Sequence, residues 1–263
     1  MTNLLEMVGA SFLFVTSLMT LLWVGYLFRQ NAGIVDIGWA LGFVISVWSY
    51  FILGNGVLEK KIFITLLVSI WGLRLAWYLT NRYLHSDEDP RYTELRKNLG
   101  EQGSDFKFLF VFLFQGFLVS LLTIPFLIIC LSHDQTWHLL EGIGLLVWGI
   151  GLWGESAADS QLAKFKADTE NHDLICTEGL WRYSRHPNYF FEFIIWVGYF
   201  LIALPATGGW LAILSPMIIL FLLLKVSGIP VAEAEALRTK GDAYRHYQET
   251  TSSFIPWFPR DKK

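Results

Sequence analysis

Few ionisable residues interrupt the apolar stretches of this chain, among them Asp36, Arg74, Glu155, Glu192 and Lys225. A charge inside a transmembrane segment costs about 2.5–3.5 kcal/mol on insertion scales, so each marks a candidate site. The competing reading, a long side chain snorkelling to the interface, fits Lys225 best. Helical phase groups the others with polar neighbours. Trp71, Arg74, Tyr78 and Asn81 recur at i, i+3, i+7 and i+10 and share one helix face. Glu155 and Asp159 lie four apart, with Lys166 at nearly the same angle if the helix continues. Two carboxylates at that spacing repel, so they need a partner such as a ribose hydroxyl, a base amino group or a basic side chain. Asn188, Glu192, Trp196 and Tyr199 form a third stripe. These stripes are expected to line one polar cavity.

The stretch GLWRYSRHPNYFFE, residues 179–192, is the densest in chemistry. Pro187 suits a helix start, with Asn188 and Tyr189 opening the first turn. Arg182 and Arg185 offer planar forks for phosphate oxygens, and the free N–H groups of a helix start add partial positive charge. Asn188 and Glu192 suit an amide or a hydroxyl. A basic loop resting on lipid headgroups is the plainer reading, but it leaves the embedded Asn and Glu without a purpose.

Other motifs carry less. The literal G-x-G-x-x-G at Gly149, Gly151 and Gly154 is expected to serve close helix packing, because the dinucleotide fingerprint works only at a strand-to-helix turn. None of His85, His133, His138, His172, His186 and His246 is paired at metal-ligand spacing. Cys130 and Cys176 lack partners for a disulfide framework or a metal site, and no serine sits in a nucleophile elbow. No metal is expected.

The elements that must position these residues are membrane helices. The chain is 54% hydrophobic and only 16% charged, against roughly 25% charged in soluble domains. Seven apolar stretches approach the roughly 20 residues a helix needs to cross a bilayer: about 8–28, 34–53, 62–79, 106–131, 139–158, 189–204 and 210–227. They are continuous rather than alternating, which favours helices over a barrel, and Pro125 is expected to kink the fourth. Lys and Arg crowd the segments 80–105, 159–188 and 228–263, while the opposite side holds only Lys60 and Lys61. By the positive-inside rule the N-terminus lies outside and those three segments face the cytoplasm. The apolar N-terminal stretch, preceded by Glu6 and no basic region, reads as a retained anchor. A net charge of −3 offers no basic surface, so no nucleic-acid partner is expected. The expected fold is an all-α integral membrane protein, 1–263 forming a single membrane domain, multi-pass, in contact with membrane lipids and monomeric.

The 179–192 segment, with a tail reading Glu235-Ala-Leu-Arg, Gly241-Asp-Ala-Tyr244, Tyr247 and Phe254-Ile-Pro256-Trp, resembles the steroid 5α-reductase superfamily. That superfamily includes the sterol C14 reductases and the isoprenylcysteine carboxyl methyltransferases, and the nearest group is the bacterial 5α-reductase-like proteins of unassigned substrate. The likeness is firm from about Glu155 to Pro256, marking 155–256 as a reductase-like, cofactor-binding half, and loose over the first three spans. It implies seven helices, NADPH entering from the cytoplasm, and a lipidic enone reached through the membrane. Matched position by position, the family's cofactor residues fall on Asp159, Lys166, Asn188 and Glu192, with Arg74 and Tyr78. Lys166 stands where the reductases have arginine. The family's catalytic acid, early in the second span, falls near Asp36, and the tyrosine that helps hold the substrate carbonyl falls on Trp71.

The expectation is therefore NADPH-dependent reduction of a carbon–carbon double bond conjugated to a carbonyl in a steroid-like or isoprenoid lipid. Such chemistry needs a hydride at the β-carbon and a donor where the oxyanion develops. The expected catalytic residues are Asp36 as the acid, Trp71 and Tyr78. The expected cofactor residues are Arg74, Asn81, Glu155, Asp159, Lys166, Arg182, Arg185, His186, Asn188, Tyr189, Glu192 and Tyr244. Trp71 in place of a phenol calls for a substrate flatter or smaller near its carbonyl than a 3-oxo-steroid. The alternatives are an S-adenosylmethionine-dependent lipid or isoprenyl methyltransferase, whose cofactor has no phosphate to occupy the basic residues, and a non-catalytic lipid-binding membrane protein.

Overall fold

A computed structural model describes residues 4–85, 87–100, 104–171 and 174–260, and every regular element among them is helical. In chain order these are α1 (Leu4–Arg29), α2 (Ile34–Leu53), α3 (Leu58–His85), α4 (Pro90–Leu99), α5 (Ser104–Leu122), α6 (Ile124–Leu131), α7 (Leu139–Ala167), α8 (Pro187–Ala203), α9 (Leu214–Phe221) and α10 (Ile229–Thr250), with short 3₁₀ and π turns between some of them. Among the described residues, five helical stretches are long and apolar enough to cross a membrane: Leu4–Arg29, Ile34–Leu53, Leu58–His85, Asp105–Leu122 and the run that begins at Gly209. The apolar part of that run ends before α10, which is polar along its length. α8 is a shorter apolar helix of 17 residues. These helices are consistent with a multi-pass membrane protein, and the side chains agree. Leu66, Ile70, Leu73 and Trp77 lie exposed down one face of α3, an apolar outer face of the kind that suits lipid tails better than water.

Two of the apolar stretches are not simple helices. The stretch 106–131 breaks at Thr123, and α6 restarts with Pro125 in its first turn, where a missing N–H breaks no bond. The stretch 210–227 runs through a 3₁₀ turn (Gly209–Ile213), α9 and a π turn (Leu222–Val226) that ends at Gly228.

The chain divides into two compact units, Met1–Trp137 with Ala203–Ser215, and His138–Ile202 with Pro216–Lys263. In the first, α2 lies against α1 and α3, and α5 against α1 and α2, around a core that includes Phe43, Val47, Val68, Trp71 and Phe112. In the second, α7 and α8 meet through glycines. A Cβ on Gly151 would lie 2.8 Å from the backbone nitrogen of Ile195, and one on Gly144 would lie 2.9 Å from the carbonyl of Gly198. Only a residue without a side chain lets the two backbones come this close.

Candidate functional site

In the second unit, the glycine face of α7 continues one turn at a time into Glu155 and Asp159, which are buried at 3% and 4% exposure. Close packing at Gly151 and Gly154 is what brings these carboxylates against the start of α8. There the Asn188 amide nitrogen donates to Asp159 Oδ1 at 3.4 Å. The other end of that amide, Asn188 Oδ1, is buried and accepts no hydrogen bond from the described residues. Glu192 follows one turn along α8, half-buried. Trp196 and Tyr199 are fully buried beyond it and pack ring to ring at 5.7 Å. The polar pattern read along α7 and α8 is thus a buried carboxylate and amide cluster with an aromatic floor. The literal G-x-G-x-x-G of α7 is not part of it. Gly149 opens on a shallow apolar groove of about 440 Å³ between Leu145, Leu146, Ile150 and Trp153, with no charge to meet a phosphate.

The loop before α8 is tied to the tail. The Trp181 indole donates to the Ala158 carbonyl (3.0 Å), and the Tyr247 hydroxyl donates to the carbonyls of Trp181 and Ser184. The Ser184 hydroxyl donates to the Phe254 carbonyl (2.9 Å) and accepts from the His186 backbone nitrogen (3.1 Å). Arg185 is buried, and its guanidinium donates to Glu233 of α10 (2.7 Å) and to the carbonyls of Gln248 and Thr251. His186 stacks on Tyr189 with its Nε2 3.3 Å from Glu233. Burial pushes the Glu233 carboxyl up, but hydrogen bonds from His186 and Arg185 and the Arg185 charge outweigh it and hold it at about 2. Burial raises the Tyr244 phenol, and the nearby Glu233 charge raises it further.

Arg185, expected at a phosphate, directs its donors to α10, as a buried guanidinium needs a carboxylate and carbonyls around it. His186, Tyr189 and Tyr244 surround the same tie. Arg182 and Lys166 are exposed. Glu233, Gln248 and Thr251, the tail's half of this junction, carry no motif that would single them out in sequence.

In the first unit, Trp71, Arg74, Tyr78 and Asn81 share a face of α3, as their spacing requires. Trp71 is wholly buried and packs on Phe43 at 5.4 Å, while Arg74, Tyr78 and Asn81 are half-buried. Trp71 is thus placed in the α2–α3 core rather than at an open surface. Asp36 is the centre of an ion cluster: Oδ2 accepts from Arg82 and Arg91, each at 3.0 Å, and Oδ1 accepts from the Tyr92 hydroxyl at 2.6 Å. Asp89 caps α4 through the Arg91 backbone nitrogen (3.0 Å) and takes two further bonds from the Arg91 guanidinium, both 2.9 Å. Arg96 extends the cluster to Glu88 (2.7 Å) and Tyr26 (3.1 Å). Burial pushes the Asp89 carboxyl up, but Arg91 outweighs it and holds it below the usual range. Asp36, expected as the proton donor, thus has both oxygens accepting from neighbouring donors. No sequence signal pointed to Arg82, Arg91 and Tyr92.

Among the described residues no group of three His, Cys, Asp or Glu is placed to hold a metal ion; His172 lies outside the described residues. The fold and its buried polar cluster define an all-helical protein whose long apolar helices are consistent with several membrane passes. The chain belongs to the family of proteins of unknown function DUF1295, whose model matches residues 22–251. No curated protein and no solved structure matches it.

Proposed function

We propose that this protein is an NADPH-dependent reductase of a carbon–carbon double bond conjugated to a carbonyl in a lipidic substrate, with its nucleotide site on the cytoplasmic side of seven spans. The family is related to steroid 5α-reductase-like proteins, and the RHPNY segment carries that likeness. The observation that supports a cofactor most directly is the buried Asn188 Oδ1, which accepts no hydrogen bond from the described residues. Leaving a buried acceptor unmatched costs about 1–3 kcal/mol, and a carboxamide N–H, such as that of nicotinamide, would satisfy it. Asn188 and Glu192 then fix the carboxamide, Glu155 and Asp159 take ribose or adenine donors, and Arg182 and Lys166 meet the phosphates in place of Arg185. When bound, NADPH supplies the hydride. The Lys and Arg asymmetry of the loops supports the cytoplasmic orientation.

The test is thermal unfolding of the purified protein with NADPH, NADH or S-adenosylmethionine. A ligand at a hundred times its Kd adds about 2.7 kcal/mol. NADPH should stabilise more than NADH, and Asn188→Ala should weaken NADPH binding about tenfold or more, equivalent to about 1.4 kcal/mol. Stabilisation by S-adenosylmethionine and not by NADPH overturns the reductase reading in favour of a methyltransferase. No shift with any of the three leaves a lipid-binding role.

A further inference from the structure

The polypeptide after α10 is irregular but firmly held. The Arg185 backbone nitrogen donates to Ser252 (2.8 Å), that of Trp257 to Tyr183 (2.9 Å) and that of Arg260 to Thr250 (2.8 Å). Phe254 packs on Phe190 at 5.6 Å and on Phe193 at 6.1 Å, in the first two turns of α8. These contacts fix the depth of the segment relative to α8: it sits where that apolar helix begins. Yet the next side chains turn outward. Ile255, Trp257 and Phe258 are 61%, 69% and 74% exposed, with a Tyr183–Phe258 edge contact at 5.9 Å and a Trp257–Phe258 contact at 6.4 Å between rings. Arg260, also exposed, follows them.

Three large apolar side chains held outward together in water would be an aggregation liability. At the start of a membrane-crossing helix the surroundings are different. The boundary between headgroups and acyl chains accepts aromatic rings, with their apolar bodies inward and polar edges outward, and its phosphates attract an adjacent arginine. We propose that Ile255–Phe258 is an interfacial anchor that inserts Ile255, Trp257 and Phe258 into the phospholipid surface at the level where α8 enters the bilayer, with Arg260 at the phosphates. The ties through Arg185, Tyr183 and Ser184 would then couple membrane contact to the loop that leads into Asn188.

The experiment uses the full-length protein in phosphatidylcholine vesicles, with an environment-sensitive fluorophore attached at Phe258→Cys. The same label at Asp242→Cys, where the native side chain is 95% exposed, gives the aqueous reference. Labelling of the parent chain corrects for Cys130 and Cys176, which are buried. At position 258 the emission should shift to the blue, iodide should quench several-fold less than at 242, and a nitroxide carried near the top of the lipid acyl chains should quench strongly. Iodide quenching equal to that at 242 overturns the proposal, since the segment is then in water. Protection from both quenchers also overturns it, since protein and not lipid then covers the aromatic side chains.

Discussion

α4 and α10 are both polar helices tied by arginine to the ends of apolar ones, yet the ties differ in how many partners share each charge. At α4, Asp36 faces Arg82, Arg91 and Tyr92, while Arg91 also grips Asp89 through two of its nitrogens. Remove one member and the others keep a counter-charge, and the arginine side chains there remain 29% and 38% exposed. At α10 a single guanidinium, 8% exposed, meets one carboxylate and two backbone carbonyls. Glu233 also has His186 at 3.3 Å and Gln248 at 2.7 Å, but among the described residues only one guanidinium reaches it. A cluster with several guanidinium groups tolerates loss; a buried tie that relies on one does not.

The largest expected effect follows from that asymmetry. Arg185→Met leaves Glu233 without its guanidinium and two buried carbonyls without donors, and breaking a buried pair in this way costs about 3–5 kcal/mol. Denaturant unfolding in detergent should show the loss, with faster tryptic cleavage of α10. Adding Glu233→Leu should recover part of it, because the uncompensated charge is gone. Wild-type stability in Arg185→Met would mean that the tail's other ties, through Tyr247, Ser184, the backbone bonds at Ser252 and Trp257 and the packing of Phe254, hold it without the guanidinium.

Asp36→Asn is the matching break in the other cluster. It weakens charged hydrogen bonds each worth about 1.5–3 kcal/mol, but Arg91 keeps both oxygens of Asp89, so the observed loss should sit at or below the lower figure. The same unfolding assay decides it. A loss larger than that of Arg185→Met reverses the comparison. Substrate turnover in this variant should be reduced rather than abolished, as suits a residue that orders α4 instead of delivering a proton.

Acid sharpens the contrast. The Glu233 carboxyl, ordinarily near 4.5, is held at about 2. Its contribution is therefore complete above about 4.5 and disappears as the pH falls through about 2, when the folded carboxyl takes up its proton. Label mobility on α10 should rise in that window, and Arg185→Met should already be mobile at neutral pH.

Much of this fold is written locally. Apolar length marks the helices, Pro125 marks the break before α6, Pro187 marks the start of α8, and four-residue spacing places Glu155 and Asp159 on one face. Partners are another matter. Arg185 meets Glu233 across 48 residues and Asp36 meets Tyr92 across 56. An arginine read one residue at a time looks the same whether it awaits a phosphate or a carboxylate, and only the packed chain distinguishes them. Helical phase likewise put Trp71 on the face of Arg74 and Tyr78 but could not give its depth, which is set by Phe43 on the neighbouring helix.

The smallest effect is expected at Gly149, which the same motif treats as equivalent to Gly151. A Cβ on Gly149 meets nothing within 4 Å, whereas one on Gly151 lies 2.8 Å from the Ile195 nitrogen and 3.0 Å from the Phe191 carbonyl. Replacing a mid-helix glycine by alanine gains about 0.5–1 kcal/mol where there is room, so Gly149→Ala should raise stability by that amount. Gly151→Ala must instead push two backbones apart, an overpacking cost of about 1–3 kcal/mol that outweighs the gain. Because Glu155 is one turn further along the same face, Gly151→Ala should also weaken nucleotide binding, while Gly149→Ala leaves it unchanged. Loss of NADPH binding in Gly149→Ala would mean that the glycine backbone itself approaches the phosphates, and the assignment of these glycines to helix packing would have to be withdrawn.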